Sequence, residues 1–421
     1  MTTDDRALLA DLFDAAIRAA DPARALAPHL PSVPRGRTVV IGAGKGAAQL
    51  ARAFEDAWPA PCEGVVVTRY GYGAPTHQIR VLEAAHPVPD AHGLAAAKRI
   101  LALASVAGPE DLVLCLFSGG GSALLTLPAE GLTLTDKQTV NRALLAAGAS
   151  IDEINTVRKH LSAIKGGRLA AAAPPARVVT LAISDVPGDD PSAIGSGPTV
   201  GDPTSLEDAR TILSDFKVDL PASVEVALSD DRNETPAPDD PAFEGNVFTL
   251  VSRPADALAA AADMAKSLGY AVEMMGDSLE GEAREVAREH AKLALRHAAE
   301  GKRTALLSGG EFTVTVTGNG KGGPNQEYAL SLLEALDGAE NIWALAADTD
   351  GTDGGEGAAD DPAGAIVAPA SRARAAELGL NPAEFLQNND STGFFGKTGD
   401  LVITGPTRTN VNDFRVILVD C

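Results

Sequence analysis

Residues 37–55, RTVVIGAGKGAAQLARAFE, join an apolar β-type run to a glycine turn and an alanine-rich helical stretch. A strand that enters a helix through glycines is typical of a nucleotide-binding α/β fold, because the backbone N–H groups and the helix dipole favour an anion there. The G-x-G-x-x-A spacing alone is a weak signal. Lys45 strengthens it, since a cation in the turn suits phosphate chemistry better than hydride transfer. The segment therefore predicts an anion site at Gly42, Gly44 and Lys45, with outward-facing N–H groups.

A dinucleotide site would make a further demand on the next strand, GVVVT at 64–68. Such sites carry an acidic residue about 20 residues after the glycines, which binds the ribose hydroxyls. Here Arg69 follows the strand instead, and it could receive the extra phosphate of NADP, so a reductase remains an alternative. Gly396-Lys397-Thr398 resembles the end of a Walker A motif, but Ser391 stands where that motif begins with glycine.

Composition limits the classes of function for this chain of 421 residues, which is long enough for two domains. Aromatic residues make up 4% and the formal net charge is −22, which disfavours base stacking and repels nucleic acids and anionic lipids. The N-terminus predicts an amphipathic helix rather than a signal peptide, and no apolar run approaches the ~20 residues of a membrane span. We therefore expect a cytoplasmic protein without nucleic-acid or membrane partners, in which an anionic metabolite needs a local positive pocket.

Apolar β-type runs alternate with alanine-rich helical stretches along most of the chain. This alternation predicts parallel sheets that are covered by helices on both faces. A polar, proline-rich segment at 229–245 predicts a boundary between two α/β domains, residues 1–235 and 236–421. After that boundary we predict a second β-α-β series, which begins with a strand at 246–252 and includes a strand at 312–318.

Several predicted strands end in glycine or aspartate, and ligands of α/β sheets bind at the carboxyl ends of strands. These ends are Gly42–Gly46, Ser118–Ser122, Ser184–Asp190, Ser308–Glu311 and Asp348–Gly354. Glycine nests with hydroxyls suit phosphate oxygens, whereas aspartates suit Mg²⁺ or the removal of a proton from a hydroxyl. With a lysine, they supply what phosphoryl transfer needs. Each turn taken alone is equally well explained as a tight connection or a helix cap.

One segment, residues 154–172, is basic within an acidic protein. As a helix it would place Arg158, Ser162 and Lys165 on one face. Two interpretations remain open, a solvated surface and a binding site for phosphate or a small carboxylate. His86 precedes a proline, which predicts a loop residue.

Taken together, these segments resemble one family, the glycerate 2-kinases of bacteria and animals. The similar segments, in the family's order, are VIGAGKGAA, HPVPD, LFSGGGSALL, INTVRKHLSAIKGGRLA, ISDVPGDD, IGSGPTVGDPT, LLSGGEFTVTV, GNGKGGPNQE and AADTDGTDG. The resemblance implies an N-terminal Rossmann-like domain with a parallel sheet between helices, a C-terminal MOFRL domain with a mixed sheet, and an active site in the interdomain cleft. The final strand is expected in the C-terminal domain or packed back on the N-terminal one.

The resemblance also implies phosphorylation of D-glycerate at its 2-hydroxyl by ATP and Mg²⁺. Lys45 would neutralise charge on the transferring phosphoryl group, and Asp185 and Asp350 would act on the metal or the substrate hydroxyl, with Asp189 as a second metal ligand. The expected ATP-binding residues are Gly42, Gly44, Ser118, Gly119, Gly120, Gly121, Ser122, Ser308, Gly309, Gly310 and Lys321. The expected substrate-binding residues are Arg158, Lys165 and Asn325.

One position departs from the family's pattern. Many relatives have an arginine where this chain has Pro324, which has neither charge nor N–H. If that arginine binds phosphate or substrate, Lys321 or residues 158–168 must compensate, or the substrate range differs. Two alternatives to the kinase stay open: an NAD(P)H-dependent hydroxypyruvate reductase, since some members carry that label, and a sensor that binds ATP without turnover. The oligomeric state is open as well, with a homodimer among the options.

Overall fold

Two six-stranded sheets organise the chain, of which the computed structural model describes residues 3–355, 358 and 360–420. Residues 22–251 form one unit, the parallel-sheet unit, and residues 3–21 with 252–420 form the mixed-sheet unit. The strands are β1 (Thr38–Ala43), β2 (Glu63–Arg69), β3 (Ile79–Ala84), β4 (Leu112–Phe117), β5 (Arg177–Ile183), β6 (Val247–Ser252), β7 (Ala271–Gly276), β8 (Thr304–Ser308), β9 (Ile342–Asp348), β10 (Gly364–Val367), β11 (Leu401–Val402) and β12 (Asp413–Val419).

The α-helices alternate with these strands through most of the chain. They are α1 (Thr3–Ala19), α2 (Pro22–Ala25), α3 (Ala47–Ala57), α4 (Ala91–Ser105), α5 (Gly121–Leu124), α6 (Leu134–Ala146), α7 (Ile151–His160), α8 (Arg168–Ala171), α9 (Leu206–Asp215), α10 (Ala222–Leu228), α11 (Pro254–Ser267), α12 (Ala283–Ala299), α13 (Pro324–Leu336), α14 (Pro369–Glu377), α15 (Pro382–Gln387) and α16 (Ser391–Thr398). None of the helices in the described ranges is both long and apolar enough to cross a bilayer.

The parallel-sheet unit has the strand order β3-β2-β1-β4-β5-β6, which is the doubly wound order of Rossmann-like folds. The pairs among β1 to β5 are all parallel. Every residue of β1 and β4 is buried, as expected for apolar central strands with both faces covered. The strand order reverses between β1 and β4, which is where such sheets bind ligands. The structure thus confirms the predicted α/β class and the Rossmann-like sheet.

The mixed-sheet unit has the strand order β11-β10-β9-β12-β8-β7. Strand β7 runs parallel to β8, whereas β12 is antiparallel to both β8 and β9. This confirms the predicted mixed sheet of the C-terminal region. The final strand, β12, is buried along its whole length and lies between β8 and β9 in the mixed sheet, the first of its two expected positions.

The boundary between the two units differs from the prediction. It lies after Val251 rather than at residue 235. The hydroxyl of Thr235 donates a 3.1 Å hydrogen bond to Oδ2 of Asp202, which fastens the proline-rich segment to the parallel-sheet unit. Strand β6, predicted to open the second β-α-β series, then extends the first sheet next to β5. The proline-rich segment is therefore part of a unit and not a linker between two.

The predicted N-terminal helix is present as α1, and it belongs to the mixed-sheet unit. Leu9, Leu12 and Phe13 on its apolar face are buried. The Phe13 ring lies 5.7 Å from the ring of Phe414 in β12. Helix α1 is therefore an integral part of the mixed-sheet unit, because its apolar face is buried there.

The predicted strand at 312–318 is wrong, since only Thr313 makes an isolated bridge there. Side chains take the hydrogen bonds that a neighbouring strand would otherwise take. The N–H of Thr315 donates to the Glu282 carboxylate, and the N–H of Gly318 donates to Oδ1 of Asn389. Residues 312–318 therefore alternate between apolar and polar side chains like a strand, but at Thr315 and Gly318 side chains rather than a neighbouring strand accept the backbone hydrogen bonds.

Candidate active site

The turns that follow β1 and β4 interlock at the point where the strand order reverses. The N–H of Lys45 donates to the carbonyl of Gly119 at 2.7 Å, and the N–H of Gly46 donates to Oγ of Ser118 at 2.8 Å. A Cβ on Gly44 would lie 2.2 Å from that Oγ. Glycine is therefore needed because two turns approach each other closely.

The first turn does not present open N–H groups to an anion, contrary to the prediction. Besides the two contacts to the second turn, the N–H of Gly44 donates to the carbonyl of Val67 at 3.1 Å. A Cβ on Gly42 would lie 2.2 Å from the carbonyl oxygen of Leu116. The structure accounts for Gly42 and Gly44 by the close packing of β1 against its neighbours, and any ligand contact from this turn has to come from Lys45.

The second turn is arranged differently. Gly120 has φ +78°, and a Cβ there would lie 2.9 Å from Nε2 of His86 and 3.3 Å from Cγ of Lys45. Gly120 is also the N-cap of α5. Among the described residues, no acceptor takes the N–H groups of Gly119 and Gly120. Of the two predicted cradles in this unit, the turn after β4 keeps the features that anion binding requires.

A cavity of about 410 Å³ opens beside Gly120 and Ser122. Its ionisable side chains are His86, Lys137, Arg142, Arg158 and Lys165, and none of the described residues lining it is an aspartate or glutamate. We call it the cation cavity. In a chain with a formal net charge of −22, it supplies the local positive pocket that an anionic metabolite was predicted to need.

Amide side chains hold the guanidinium of Arg158. Its Nη1 donates to Oδ1 of Asn155 at 3.0 Å, and its Nη2 donates to Oδ1 of Asn141 at 2.7 Å. Oδ1 of Asn155 also accepts from Oγ of Ser196, which lies 2.6 Å from Oγ of Ser122. Because these partners are neutral, they position Arg158 without neutralising its positive charge. The same network connects it to the turn after β4.

The two lysines of the cation cavity are held by carbonyl groups. Nζ of Lys165, a residue 1% exposed, donates to the carbonyl of Gly195 at 3.1 Å, and Nζ of Lys137 donates to that of Arg158 at 3.3 Å. Burial, followed by the charges of Arg158 and Arg168, lowers the pKa of Lys137 to about 7. Burial and the neighbouring cations lower the pKa of Lys165 as well. An anion bound here would oppose both shifts.

The segment that carries Arg158 and Lys165 is not one continuous helix, contrary to the prediction. Helix α7 ends before Ser162, whose Oγ donates to the carbonyl of Leu127 at 3.0 Å. The N–H of Ala163 donates to the same carbonyl at 2.9 Å. This pairing turns the chain, and the turn rather than helical periodicity brings Arg158 and Lys165 to one cavity.

The residues of the cation cavity that were not predicted as site residues include His86, Lys137, Asn141 and Arg142. The one available signal lies in α6. Lys137 and Asn141 are separated by one helical turn and share this helix with the buried residues Val140 and Leu144. This spacing places Lys137 and Asn141 on one side of the helix, next to its apolar face.

The predicted metal ligands follow β5. Asp185 and Asp189 are both half-buried, and Oδ1 of Asp189 is a buried atom without a hydrogen-bond partner. Within the described ranges, no three His, Cys, Asp or Glu residues converge as a ready metal cage. Mg²⁺ rarely needs one, because it binds through one or two carboxylates together with phosphate oxygens and water. The orphan oxygen of Asp189 fits that mode of binding.

Asn325 is 1% exposed and makes contacts within the mixed-sheet unit. Its N–H and that of Gln326 donate to the Asp353 carboxylate, and its Nδ2 donates to Oδ1 of Asp413 at 2.7 Å. Asp353 thus satisfies the first turn of α13. Pro324 is the first residue of that helix, a position where the missing N–H costs nothing. These contacts give Asn325 a structural role and Pro324 a local fit.

The predicted cradle at Ser308–Gly310 is tightly packed. Arg415 in β12 donates to the carbonyls of Gly309 and Gly310 at 3.1 and 3.0 Å. A Cβ on Gly310, which has φ +91°, would lie 2.1 Å from the backbone nitrogen of Leu279. Oγ of Ser308 is buried without a hydrogen-bond partner. Close packing therefore explains these glycines, and neither Arg415 nor its partner Asp413 was predicted from the sequence.

The remaining predicted residues also lie in the mixed-sheet unit. The side chain of Lys321 is exposed, and its backbone N–H donates to Oδ1 of Asp390 at 3.2 Å. Asp350 is 1% exposed, and its Oδ1 accepts from the N–H of Thr352 at 2.8 Å in the turn after β9. The structure therefore gathers Gly120, Ser122, Arg158 and Lys165 around one cavity, while Asp350, Asn325 and Lys321 belong to the other unit.

Two family models match the chain. The first, a domain of unknown function designated DUF4147, matches residues 8–229, and the second, the MOFRL family, matches residues 304–413. The solved structure of a glycerate kinase from Thermotoga maritima is similar to this chain with a TM-score of 0.88 and 39% identity, covering 98% of both chains.

Curated relatives agree with these matches. The D-glycerate 2-kinase of Thermotoga maritima is 40% identical over 98% of each chain, and the glycerate 2-kinase of Pyrococcus horikoshii is 41% identical over 91% of this chain and 88% of its own. A protein of Agrobacterium vitis with the provisional name hydroxypyruvate reductase is 52% identical over 100% of this chain and 96% of its own. With DUF4147 over half of its length, a MOFRL region behind it and relatives that match almost end to end, the chain belongs to the glycerate 2-kinase family.

Proposed function

We propose that this chain transfers the γ-phosphoryl group of ATP to the 2-hydroxyl of D-glycerate, which gives 2-phosphoglycerate and ADP. The observation that carries the proposal is the cation cavity, which has no carboxylate among its described lining residues and opens at the turn after β4. A small hydroxy acid would bring the missing negative charge to it. The relatives named as glycerate 2-kinases support this choice of acid.

Arg158 and Lys165 bind the carboxylate of the acid. Both are held in place by neutral partners, so each keeps hydrogen-bond donors for an anion, and the charge of a bound anion favours the protonated form of Lys165. Hydrogen bonds between charged groups are stronger than those between neutral ones, and they are shorter. The preformed network through Asn155 and Ser196 orients Arg158 before the acid arrives, which lowers the entropic cost of binding.

Lys45 and the turn after β4 act on the phosphoryl group. The N–H groups of Gly119 and Gly120 bind its oxygens, and Lys45 neutralises the charge that spreads over them during transfer. Asp185 and Asp189 would hold Mg²⁺, which when bound neutralises phosphate charge. Asp185 is also a candidate to accept the proton of the 2-hydroxyl. Roles in ATP binding or proton transfer for Ser308, Gly309, Gly310, Lys321 and Asp350 remain proposals for single substitutions to test.

A reductase is the second candidate, because two Agrobacterium vitis relatives carry that name. Two observations disfavour it. The turn after β1 uses its N–H groups internally, so it offers no open cradle for a dinucleotide pyrophosphate. Strand β2 ends in Arg69 rather than in an acid that would bind ribose hydroxyls. A fluorescence titration with NADPH would reveal binding if this candidate were correct.

The decisive assay supplies D-glycerate, ATP and Mg²⁺ and couples the product through enolase, pyruvate kinase and lactate dehydrogenase, without phosphoglycerate mutase. Enolase accepts only the 2-phosphate, so NADH loss that depends on D-glycerate would establish reaction, substrate and position together. Formation of ADP without NADH loss would exclude the 2-position or this acid. If neither product appears, and hydroxypyruvate with NADPH reacts instead, the kinase proposal is wrong.

A further inference from the structure

The cation cavity holds more positive charge than D-glycerate can neutralise. Apart from Arg142, which is exposed, its cations are the partly or fully buried Lys137, Arg158 and Lys165, and no acidic side chain lines it in the described part of the chain. A glycerate carboxylate supplies a single negative charge. A phosphorylated acid supplies that carboxylate and a phosphate of about −1.5 to −2 at neutral pH, which together match three cations. Charge balance therefore favours the phosphorylated acid as the ligand that fits best.

Arg158 and Lys165 are assigned to the carboxylate of the acid. Lys137 is the remaining cation to which no group of the ligand is yet assigned. Its Nζ donates to the carbonyl of Arg158 at 3.3 Å, the one hydrogen bond it makes among the described residues. An ammonium group has three donors, so two are left for a ligand. Gly120 and Ser122 line the same cavity, so Lys137 borders the space beside the turn assigned to the phosphoryl group.

We propose that the cation cavity binds the phosphorylated acid, the product of the proposed reaction, and that Lys137 contacts its phosphate group. This inference rests on the proposed function. Lys137 is then a binding residue that distinguishes the product from the substrate, because it matches a charge that only the product carries. Arg158 and Lys165 contact the carboxylate, which both molecules share.

The ionisation of Lys137 agrees with this assignment. Burial and nearby cations lower its pKa to about 7, so at neutral pH a monoanion leaves part of the population uncharged. A phosphate beside the ammonium raises that pKa again and draws a proton to Lys137. The ionisable groups around it are Arg158 on α7, Lys165 and Arg168 after it, and His86 and Arg142 on the cavity wall.

Phosphate oxygens also occur in ADP, so the experiment must separate the two sources. Titration calorimetry at pH 7 would measure binding of 2-phosphoglycerate, D-glycerate and ADP to the unaltered protein and to Lys137→Met. We expect a loss of about 10- to 100-fold for 2-phosphoglycerate, the range for one charged hydrogen bond, with little change for D-glycerate or ADP. Lys98→Met, at an exposed site on α4, is the matched control.

Three outcomes would overturn the inference: no loss for 2-phosphoglycerate, an equal loss for D-glycerate, or a larger loss for ADP. Should Lys137→Met not fold, Lys137→Gln keeps a polar group at the position and repeats the comparison. The coupled assay on the unaltered protein separates the two proposals. Turnover of D-glycerate with unchanged binding in Lys137→Met would refute only the role of Lys137. Lys137-dependent binding of 2-phosphoglycerate without turnover would refute only the proposed reaction.

Discussion

Two buried cations, Arg415 in the mixed-sheet unit and Lys165 in the parallel-sheet unit, have opposite kinds of partner. In the mixed-sheet unit, Arg415 is 0% exposed and contacts the Asp413 carboxylate, and its Nη1 and Nη2 donate to the carbonyls of Gly309 and Gly310. In the parallel-sheet unit, Lys165 is 1% exposed, and among the described residues its Nζ donates only to the carbonyl of Gly195. Burying a charge without a counter-charge is costly. We therefore expect the paired cation to stabilise the fold, whereas the other cation is the one proposed to bind an anionic ligand.

The same contrast occurs within one short segment. Nζ of Lys159 lies 3.0 Å from Oδ1 of Asp202, and both side chains are buried. Lys165, a little further along the chain, has no carboxylate partner within the ranges that the structure describes. The segment thus provides a matched pair of lysines, one structural and one proposed to bind substrate. The presence or absence of a carboxylate partner thus becomes a criterion for separating structural cations from ligand-binding ones. Mutagenesis can test this criterion.

The largest effect is expected at Lys45, the cation proposed to act on the phosphoryl group. Lys45→Ala should lower kcat about 1000-fold, because charge that develops in the transition state loses its counter-charge. The melting temperature should stay close to that of the unaltered protein. Steady-state kinetics with a thermal melt would check this, with Lys98→Ala as a control. Full turnover in Lys45→Ala would remove Lys45 from the mechanism.

Arg415 should show the reverse pattern. Arg415→Met leaves Asp413 buried without its partner, so the free energy of unfolding should fall by about 3–5 kcal/mol. Denaturant unfolding would measure the change. Adding Asp413→Asn removes the stranded charge and should recover part of the loss. A variant as stable as the unaltered protein would show that the pair is not needed for the fold.

The matched lysines sharpen the comparison further. Lys165→Met should raise KM for D-glycerate about 10- to 100-fold, the range for a lost charged hydrogen bond, without lowering stability. Lys159→Met should destabilise the protein, because Asp202 stays buried without a cation. Kinetics and denaturant unfolding of both variants would test this. If Lys165→Met unfolds and Lys159→Met does not, the criterion fails.

The smallest expected effect is a pH dependence of product binding. The pKa of Lys137 is lowered to about 7 in the free protein, so below that pH the ammonium is already charged. Above it, binding of 2-phosphoglycerate must take up a proton, and affinity should fall by at most about tenfold per pH unit. Calorimetry between pH 6 and 9 in Lys137→Met should lack this decline. The same slope in that variant would assign it to another group.

Local patterns were enough to predict much of the fold. The apolar runs of β1 and β4, the helix α1 and the class of both sheets follow from periodicity and glycine positions, which act over a few residues. The prediction of a strand at 312–318 was wrong because Glu282 and Asn389, which are distant in sequence, accept the hydrogen bonds of this segment. The predicted domain boundary was wrong for a similar reason, since β6 joins a sheet whose other strands precede the proline-rich segment.

The candidate site shows more clearly what the sequence determines and what depends on the tertiary structure. The sequence by itself determined which residues could carry chemistry, such as Lys45, Arg158 and Lys165, because charge and residue type are local properties. Only the tertiary structure decided that the amides after β1 are used internally, that Lys137 joins the cavity, and that Arg415 contacts a carboxylate whereas Lys165 contacts a carbonyl. The physical reason is that desolvation and charge pairing depend on neighbours brought together by the fold, and these lie far apart along the chain.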